Sequence, residues 1–180
     1  RVKPAELKQR TRETARYLQP SEHHYKTTIS EAERTQRLGH PAFTLWLTGK
    51  PGAGKTTIAT ALERALFSSG HTVTVLDGSR LRTTISQDLG FSIEDKRESC
   101  RRGAAVAELL NEQGQIVIAT FVSGQERTRA LVKEILGSEK YLEIHVDADV
   151  ETLAQRAKAK SAQSATGVQR NRDAHEWECG

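Results

Sequence analysis

A glycine-rich octapeptide constrains this chain more than any other segment: Gly49-Lys50-Pro51-Gly52-Ala53-Gly54-Lys55-Thr56. Its spacing fits the pattern GxxxxGK[ST]; an apolar run over Phe43–Thr48 precedes it, and helical apolar spacing over Lys55–Ser69 follows it. Glycines let the backbone curl so that successive N–H groups face phosphate oxygens, and the N-terminus of the following helix adds a partial positive charge. The motif in this context predicts a phosphate-binding loop (P-loop).

The loop residues are expected to bind a nucleotide, ATP or a related one. Lys55 reaches the outer phosphates, the Thr56 hydroxyl binds Mg²⁺, and Thr57 bonds a phosphate oxygen. The segment predicted to bind the nucleotide consists of Gly49, Lys50, Pro51, Gly52, Ala53, Gly54, Lys55, Thr56 and Thr57.

Strand-like and helix-like segments alternate after residue 41. Strands are predicted over Phe43–Thr48, Thr72–Leu76, Gln115–Phe121 and Tyr141–Val146. Helices are predicted over Lys55–Ser69, Asp95–Gln113, Arg127–Leu136 and Asp149–Lys160. Because this alternation suits βαβ crossovers, it predicts an α/β, three-layer P-loop NTPase fold in which helices cover both faces of a mainly parallel sheet.

The class of P-loop protein is narrowed by motifs elsewhere in the chain. A GTPase is expected to carry an NKxD motif, which this sequence lacks. A motor ATPase is expected to end an apolar strand in Asp or Glu, whereas the strand Ile116–Phe121 ends in Val122 and Ser123. Size and spacing favour a small-molecule kinase.

Composition argues against several partners. The net charge of +4 is spread along the chain, so we expect no nucleic-acid binding. No apolar run approaches the ~20 residues of a membrane helix, so we expect no membrane contact. The two cysteines, Cys100 and Cys179, form no CxxC pair, and a cytoplasmic location is the simplest expectation.

Two regions are predicted. Residues 1–40 form a polar leader, with helices over Arg1–Leu18 and Ile29–Leu38 joined by a linker over Gln19–Thr28. Residues 41–180 form the P-loop kinase domain, in which residues 157–180 are a lid or tail. Since the sequence starts at Arg1 and contains no methionine, we expect a fragment, a domain of a larger protein or a processed chain.

Several segments together resemble the adenylylsulfate (APS) kinases over about residues 29–156. They are Leu38–Thr57, Leu76–Arg82, Asp88–Ser92 with Glu94–Asp95, Glu98–Arg102 and Ile116–Ser123. The resemblance implies transfer of the γ-phosphate of ATP, with Mg²⁺, to the 3′-hydroxyl of APS, which gives 3′-phosphoadenylyl sulfate (PAPS) in sulfate activation.

The resemblance also implies roles for individual residues. Asp77 would organise the acceptor hydroxyl and metal, and Ser123 matches a serine described as a phosphorylated intermediate, although positioning and charge stabilisation suffice for direct in-line transfer. The predicted catalytic residues are Lys55, Asp77 and Ser123. Arginines suit the phosphosulfate of APS, and the Phe91 ring offers a stacking face for its adenine. The predicted substrate-binding residues are Asp77, Arg80, Arg82, Phe91, Arg101, Val122 and Ser123.

The chain departs from the family pattern at four places. Asp77-Gly78-Ser79-Arg80 stands where the family has DGDN, and Ser123-Gly124-Gln125 stands where it has Ser-Pro-aromatic. Ser99 replaces the usual Asn after Glu98. The expected lid, Ala157–Val168, is shorter and lacks a KGLY segment.

Three functional hypotheses follow from the pattern and its departures. The first is an APS kinase. The second is a kinase for another small-molecule hydroxyl, as the change to Ser79 and Arg80 would allow. The third is a degenerate nucleotide-binding regulatory domain of a larger sulfate-activating protein. The resemblance further suggests a homodimer or a fusion to an ATP sulfurylase domain.

Overall fold

Four parallel strands form the sheet in residues 27–159, the part of the chain that the computed structural model describes. They are β1 (Thr44–Thr48), β2 (Val73–Asp77), β3 (Ile116–Phe121) and β4 (Tyr141–His145). Their order is β2-β3-β1-β4, and all three pairings are parallel. β1 therefore lies inside the sheet, and the P-loop follows its carboxyl end, where open α/β sheets bind ligands.

Helices alternate with the strands, which confirms the predicted α/β fold. They are α1 (Glu31–Leu38), α2 (Lys55–Ser68), α3 (Gly78–Arg82), α4 (Ile93–Glu112), α5 (Glu126–Leu136) and α6 over 150–159. The ends of the predicted elements within the described range differ from the observed ends by at most two residues. α3 was not predicted, because five residues are too few to show helical periodicity.

Capping explains two of these helix starts. The Ser92 hydroxyl accepts a hydrogen bond from the Asp95 N–H at 3.0 Å, and the Asp95 carboxylate accepts one from the Ser92 N–H at 3.3 Å. This capping box begins α4 at Ile93, two residues before the predicted start. The Asp77 carboxylate caps α3 by accepting hydrogen bonds from the N–H groups of Ser79 and Arg80, without a reciprocal bond.

Two apolar clusters cover opposite faces of the sheet. Alternate residues of β1 point to opposite faces, so Trp46 belongs to one cluster while Leu45 and Leu47 belong to the other. The first cluster joins the sheet to α4 and α5 through Cys100, Ala104, Ala107, Val132 and Leu136. The second joins the sheet to α2 through Ala59. The arrangement gives three layers.

The first and last parts of the chain lie outside the described residues. These parts hold the predicted helix Arg1–Leu18 and the larger share of both the linker Gln19–Thr28 and the expected lid. The compact unit that carries the sheet begins at Glu31, and the predicted boundary after residue 40 stays a prediction. Within residues 27–159 no helix is long and apolar enough to cross a lipid bilayer.

Gly103 marks the closest approach of α4 to the sheet. A Cβ atom built on Gly103 would lie 2.2 Å from Cζ of Phe121. The Phe121 ring cannot readily retreat, because it stacks on Trp46 with ring centroids 4.4 Å apart and planes within 5°. Both rings are buried. The absence of a side chain at residue 103 therefore sets the distance between α4 and β3.

We predict that Gly103→Ala lowers the free energy of unfolding by about 1–2 kcal/mol, because overpacking outweighs the better helix propensity of Ala. The midpoint of denaturant unfolding at constant slope measures the change. Gly124→Ala is the matched control, since a Cβ there meets nothing within 4 Å. Equal stability of the two variants would contradict this description of the packing.

Candidate active site

Glycines shape the P-loop where it leaves β1. Gly49 has φ 148°, and a Cβ atom there would lie 2.1 Å from the carbonyl oxygen of Val146, so the loop passes directly over the end of β4. Gly54 has φ 104° and precedes the first residue of α2. Positive φ values at both positions favour glycine, and the turn they create exposes the N-terminus of α2 to the ligand side.

The Lys55 side chain is held inside the P-loop by backbone carbonyl groups. Its ammonium group donates to the carbonyl oxygens of Gly49 at 2.8 Å and Lys50 at 2.9 Å. Burial lowers the pKa of Lys55, and the negative charge of Asp77 acts in the opposite direction. The amine is therefore restrained by uncharged carbonyls, which a phosphate oxygen can replace as the stronger acceptor.

Asp77 ends β2 and receives four hydrogen bonds. Oδ1 accepts from the N–H groups of Ser79 at 2.9 Å and Arg80 at 3.2 Å. Oδ2 accepts from the hydroxyls of Thr56 at 2.9 Å and Thr120 at 2.8 Å. Burial alone would raise the pKa of Asp77, but these hydrogen bonds outweigh it and hold the pKa below its usual value. The carboxylate is therefore ionised and fixed in orientation.

A cavity of about 730 Å³ opens beside Asp77. Its wall consists of the P-loop with the start of α2, the stretch from α3 to α4, the end of β3 and part of α6. Its volume falls in the range of small-molecule sites. The predicted residues that line it are Pro51, Gly52, Gly54, Lys55, Thr56, Thr57, Asp77, Arg82, Phe91 and Val122.

The α3–α4 side of the cavity presents a cation stacked on an aromatic ring. The Arg82 guanidinium carbon lies 4.6 Å from the centroid of the Phe91 ring, and Nη1 donates to the Gly90 carbonyl at 2.6 Å. Phe91 remains 76% exposed. Because Arg82 covers part of this ring and anchors the adjacent backbone, the ring is positioned before any ligand arrives.

Three predicted substrate residues are absent from the cavity wall within residues 27–159. Arg80 is exposed and contributes its backbone N–H to Asp77. Arg101 forms a two-point ion pair with Glu98, at 2.7 and 2.8 Å. Ser123 is buried, and its hydroxyl accepts from Trp46 Nε1 at 3.0 Å and donates to Thr48 Oγ1 at 2.8 Å. The structure does not bring Arg101 or the Ser123 hydroxyl to the cavity.

Five polar residues of the wall were not predicted as site residues: Ser79 and Ser99, which were named only as departures from the family pattern, and Lys96, Thr120 and Arg156. Lys96 lies in the first turn of α4, one turn before Ser99, which also lines the cavity. Arg156 of α6 donates to the carbonyl oxygen of Gly52 at 2.9 Å. Thr120 donates to Asp77. Helical spacing relative to Ser99 could have indicated Lys96, whereas Arg156 and Thr120 depend on contacts between distant segments.

Comparison with known proteins gives a consistent result. The family model for adenylylsulphate kinase matches residues 41–170. An adenylyl-sulfate kinase from Bacillus licheniformis is 41% identical over 132 residues, which are 73% of this chain and 67% of the relative. One from Shewanella amazonensis is 39% identical over 152 residues, 80% of this chain and 77% of the relative.

A solved structure agrees with both relatives. The APS kinase from Mycobacterium tuberculosis, in complex with AMPPNP and APS, is similar with a TM-score of 0.64 and 33% identity. The match covers 71% of this chain and 75% of that protein.

We predict that Asp77→Asn lowers stability at neutral pH by about 1–2 kcal/mol, because the amide cannot replace an ionised acceptor of two hydroxyls. A depressed pKa stabilises the fold above the unfolded value of about 3.9. That contribution disappears as the pH falls through the folded value, so the gap between variant and parent should narrow in acid.

Denaturant unfolding in EDTA between pH 3 and 7 measures this gap. Asp147→Asn is the control, since Asp147 is exposed. A gap for Asp77→Asn that stays constant with pH would contradict the ionised, hydrogen-bonded carboxylate.

Proposed function

The chain belongs to the adenylylsulphate kinase family, and we propose that it transfers the γ-phosphate of ATP to the 3′-hydroxyl of APS, giving PAPS for sulfate activation. One observation carries this proposal. A single cavity contains both the P-loop and the Arg82–Phe91 pair, and Asp77 contacts Thr56 within it. Such a cavity offers places for two nucleotides and an acidic residue where a hydroxyl and a phosphate would meet.

The donor side is formed by the P-loop and the start of α2. Backbone N–H groups of the loop and the N-terminus of α2 would hold the phosphates of ATP. Lys55 would exchange the carbonyls of Gly49 and Lys50 for phosphate oxygens, which moves its charge toward the transferred group. No covalent intermediate is required, because positioning and charge stabilisation carry phosphoryl transfer.

The residues beside the P-loop fit Mg²⁺. Thr56 donates its hydroxyl proton to Asp77, so the lone pairs of its oxygen stay available to a cation. Hydroxyl and carboxylate oxygens are the ligand types that Mg²⁺ prefers, and it normally keeps several waters and binds substrate phosphates. Thr56 would bind the ion, with Asp77 behind it. Charge on the phosphates is offset by Mg²⁺ when it is bound.

The acceptor side is formed by α3, α4 and the segment between them. Phe91 would stack on the adenine of APS, while Arg82 and Lys96 would offset the negative charge of its phosphosulfate. Asp77 would orient the 3′-hydroxyl rather than act as a strong base, since its pKa is depressed. A loose transition state needs little base assistance.

The departure at Ser79 and Arg80 leaves the Asp77 contacts in place. Both residues reach Asp77 through backbone N–H groups, which almost any side chain permits. This supports an active kinase over a degenerate regulatory domain. The buried hydroxyl of Ser123 likewise supports direct in-line transfer over a phosphorylated serine.

The cellular location and the assembly of the protein are supported by fewer observations than its activity. A cytoplasmic location is supported by cysteine usage, since the sequence has two cysteines and no CxxC pair. A homodimer or a fusion to an ATP sulfurylase domain stays a prediction.

We predict that ADP forms from MgATP only when APS is present, and that Lys55→Ala lowers kcat/KM at least about a hundredfold by removing the phosphate-facing cation. A coupled ADP assay measures this. Lys133→Ala, on the exposed surface of α5, is the matched control and should keep the parent rate. ADP formation that ignores APS, or that survives in Lys55→Ala, would contradict the proposed function.

We predict that Phe91→Ala raises the KM for APS about tenfold and leaves the KM for ATP unchanged, because base stacking on an aromatic side chain contributes about 1–3 kcal/mol. Steady-state kinetics with each substrate varied measure both values. Phe67→Ala is the control, since the Phe67 ring on α2 is 64% exposed and the Phe91 ring is 76% exposed. Equal KM values for APS in the two variants would remove Phe91 from the binding site.

A further inference from the structure

Thr120 supplies the most buried of the hydrogen bonds to Asp77. Its hydroxyl donates to Oδ2 of Asp77 at 2.8 Å, and the residue is 4% exposed. It lies at the position of β3 that pairs directly with Asp77 of β2. The contact therefore follows from strand register and needs no loop rearrangement.

The sheet face that packs on α2 changes from apolar to polar at this level. Ile118 and Val75 pack into the apolar cluster of that face, and the next residues on it are Thr120 and Asp77. Neighbouring strands lie about 4.8 Å apart, so a threonine hydroxyl can reach the carboxylate directly. A buried hydroxyl without a partner would be costly, which fixes the Thr120 rotamer toward Asp77.

Each of the two carboxylate oxygens of Asp77 accepts two of the four hydrogen bonds. Oδ1 is held by backbone N–H groups of α3, and Oδ2 is held by two hydroxyls. Thr56, one of these hydroxyls, is exposed and belongs to the nucleotide side of the cavity. Thr120, the other, approaches from the sheet. Thr120 therefore holds Oδ2 from the buried side, and Thr56 holds it from the exposed side.

We propose that Thr120 is a positioning residue, whose hydroxyl fixes the Asp77 carboxylate in the orientation that meets Thr56. It acts through Asp77. The part of this inference that concerns turnover rests on the proposed kinase function, whereas the orientation of Asp77 toward Thr56 can be tested by nucleotide binding alone.

Thr120→Val and Thr120→Ser separate the hydroxyl from the shape of the side chain. Valine keeps the volume and loses the donor, and serine keeps the donor and loses a methyl group. Thr120→Val should lower kcat about tenfold with both KM values within about twofold, since a misplaced group costs rate more than binding. Thr120→Ser should keep at least about a third of the parent kcat.

A binding measurement gives a second readout. Titration calorimetry with AMPPNP, with and without Mg²⁺, gives the factor by which the metal tightens nucleotide binding. Thr120→Val should reduce this factor about fivefold, because Asp77 no longer supports Thr56 in a fixed position. Thr120→Ser should leave the factor within about twofold of the parent value.

Thr44→Val is the matched control. The Thr44 hydroxyl is equally buried and donates to Asn111 Oδ1 at 2.8 Å, and Thr44 begins β1 at the opposite end of the sheet. This variant should lose stability to a similar extent while keeping the kcat and the Mg²⁺ factor. Thermal unfolding of each variant separates folding loss from loss of positioning.

The proposal is overturned if Thr120→Val matches Thr44→Val in kcat and in the Mg²⁺ factor. It is also overturned if Thr120→Ser lowers kcat about tenfold. This second test can be made even if Thr120→Val does not fold. If the parent protein forms no ADP with APS, the kinase function fails instead, and the AMPPNP measurement still decides the role of Thr120.

Discussion

The ionised carboxylate of Asp77 is the point on which the candidate site depends. Its four hydrogen bonds join the end of β2 to the start of α3, the first turn of α2 and the end of β3. Each of these elements carries a different part of the cavity, so one carboxylate sets their relative positions at the carboxyl edge of the sheet. The P-loop supplies phosphate-binding groups, but Asp77 relates them to the side where a second ligand would bind.

The arginines of this region divide into structural and ligand-facing groups. Arg101 and Arg102 share Glu98, and Arg102 also binds Asp88 at 2.6 and 2.8 Å, so these charges are compensated within the protein. Arg102 attaches the segment before α4 to the helix through Asp88 and the carbonyl oxygen of Ile85, whereas the Arg101–Glu98 pair lies within the helix. Arg82 instead donates to a neutral carbonyl and keeps its full charge beside Phe91. The two groups of arginines therefore differ in what they bind, a carboxylate or a neutral carbonyl, rather than in their position in the sequence.

The P-loop and the parallel sheet could be predicted from the sequence because each depends on a local pattern. Arg82 and Phe91 were predicted separately, from the family resemblance, whereas their stacking on each other is known only from the structure. The roles of Thr120 and Ser123 could not be predicted, because they depend on which distant residues the fold brings near. Thr120 meets Asp77 only through the register of β2 and β3. The Ser123 hydroxyl is enclosed by Trp46 and Thr48 of the neighbouring strand. Helix α3 could not be predicted either, because its five residues are too few to show helical periodicity.

The most direct test of the central claim is the chemical identity of the product. ³¹P NMR of a reaction with MgATP and APS should show a new phosphomonoester whose phosphorus couples to the 3′ proton of the adenosine, together with an equal amount of ADP. This result would mean that the cavity brings the γ-phosphate and the 3′-hydroxyl of APS together. Inorganic phosphate and ADP with unchanged APS, or a phosphate on any other hydroxyl, would contradict it.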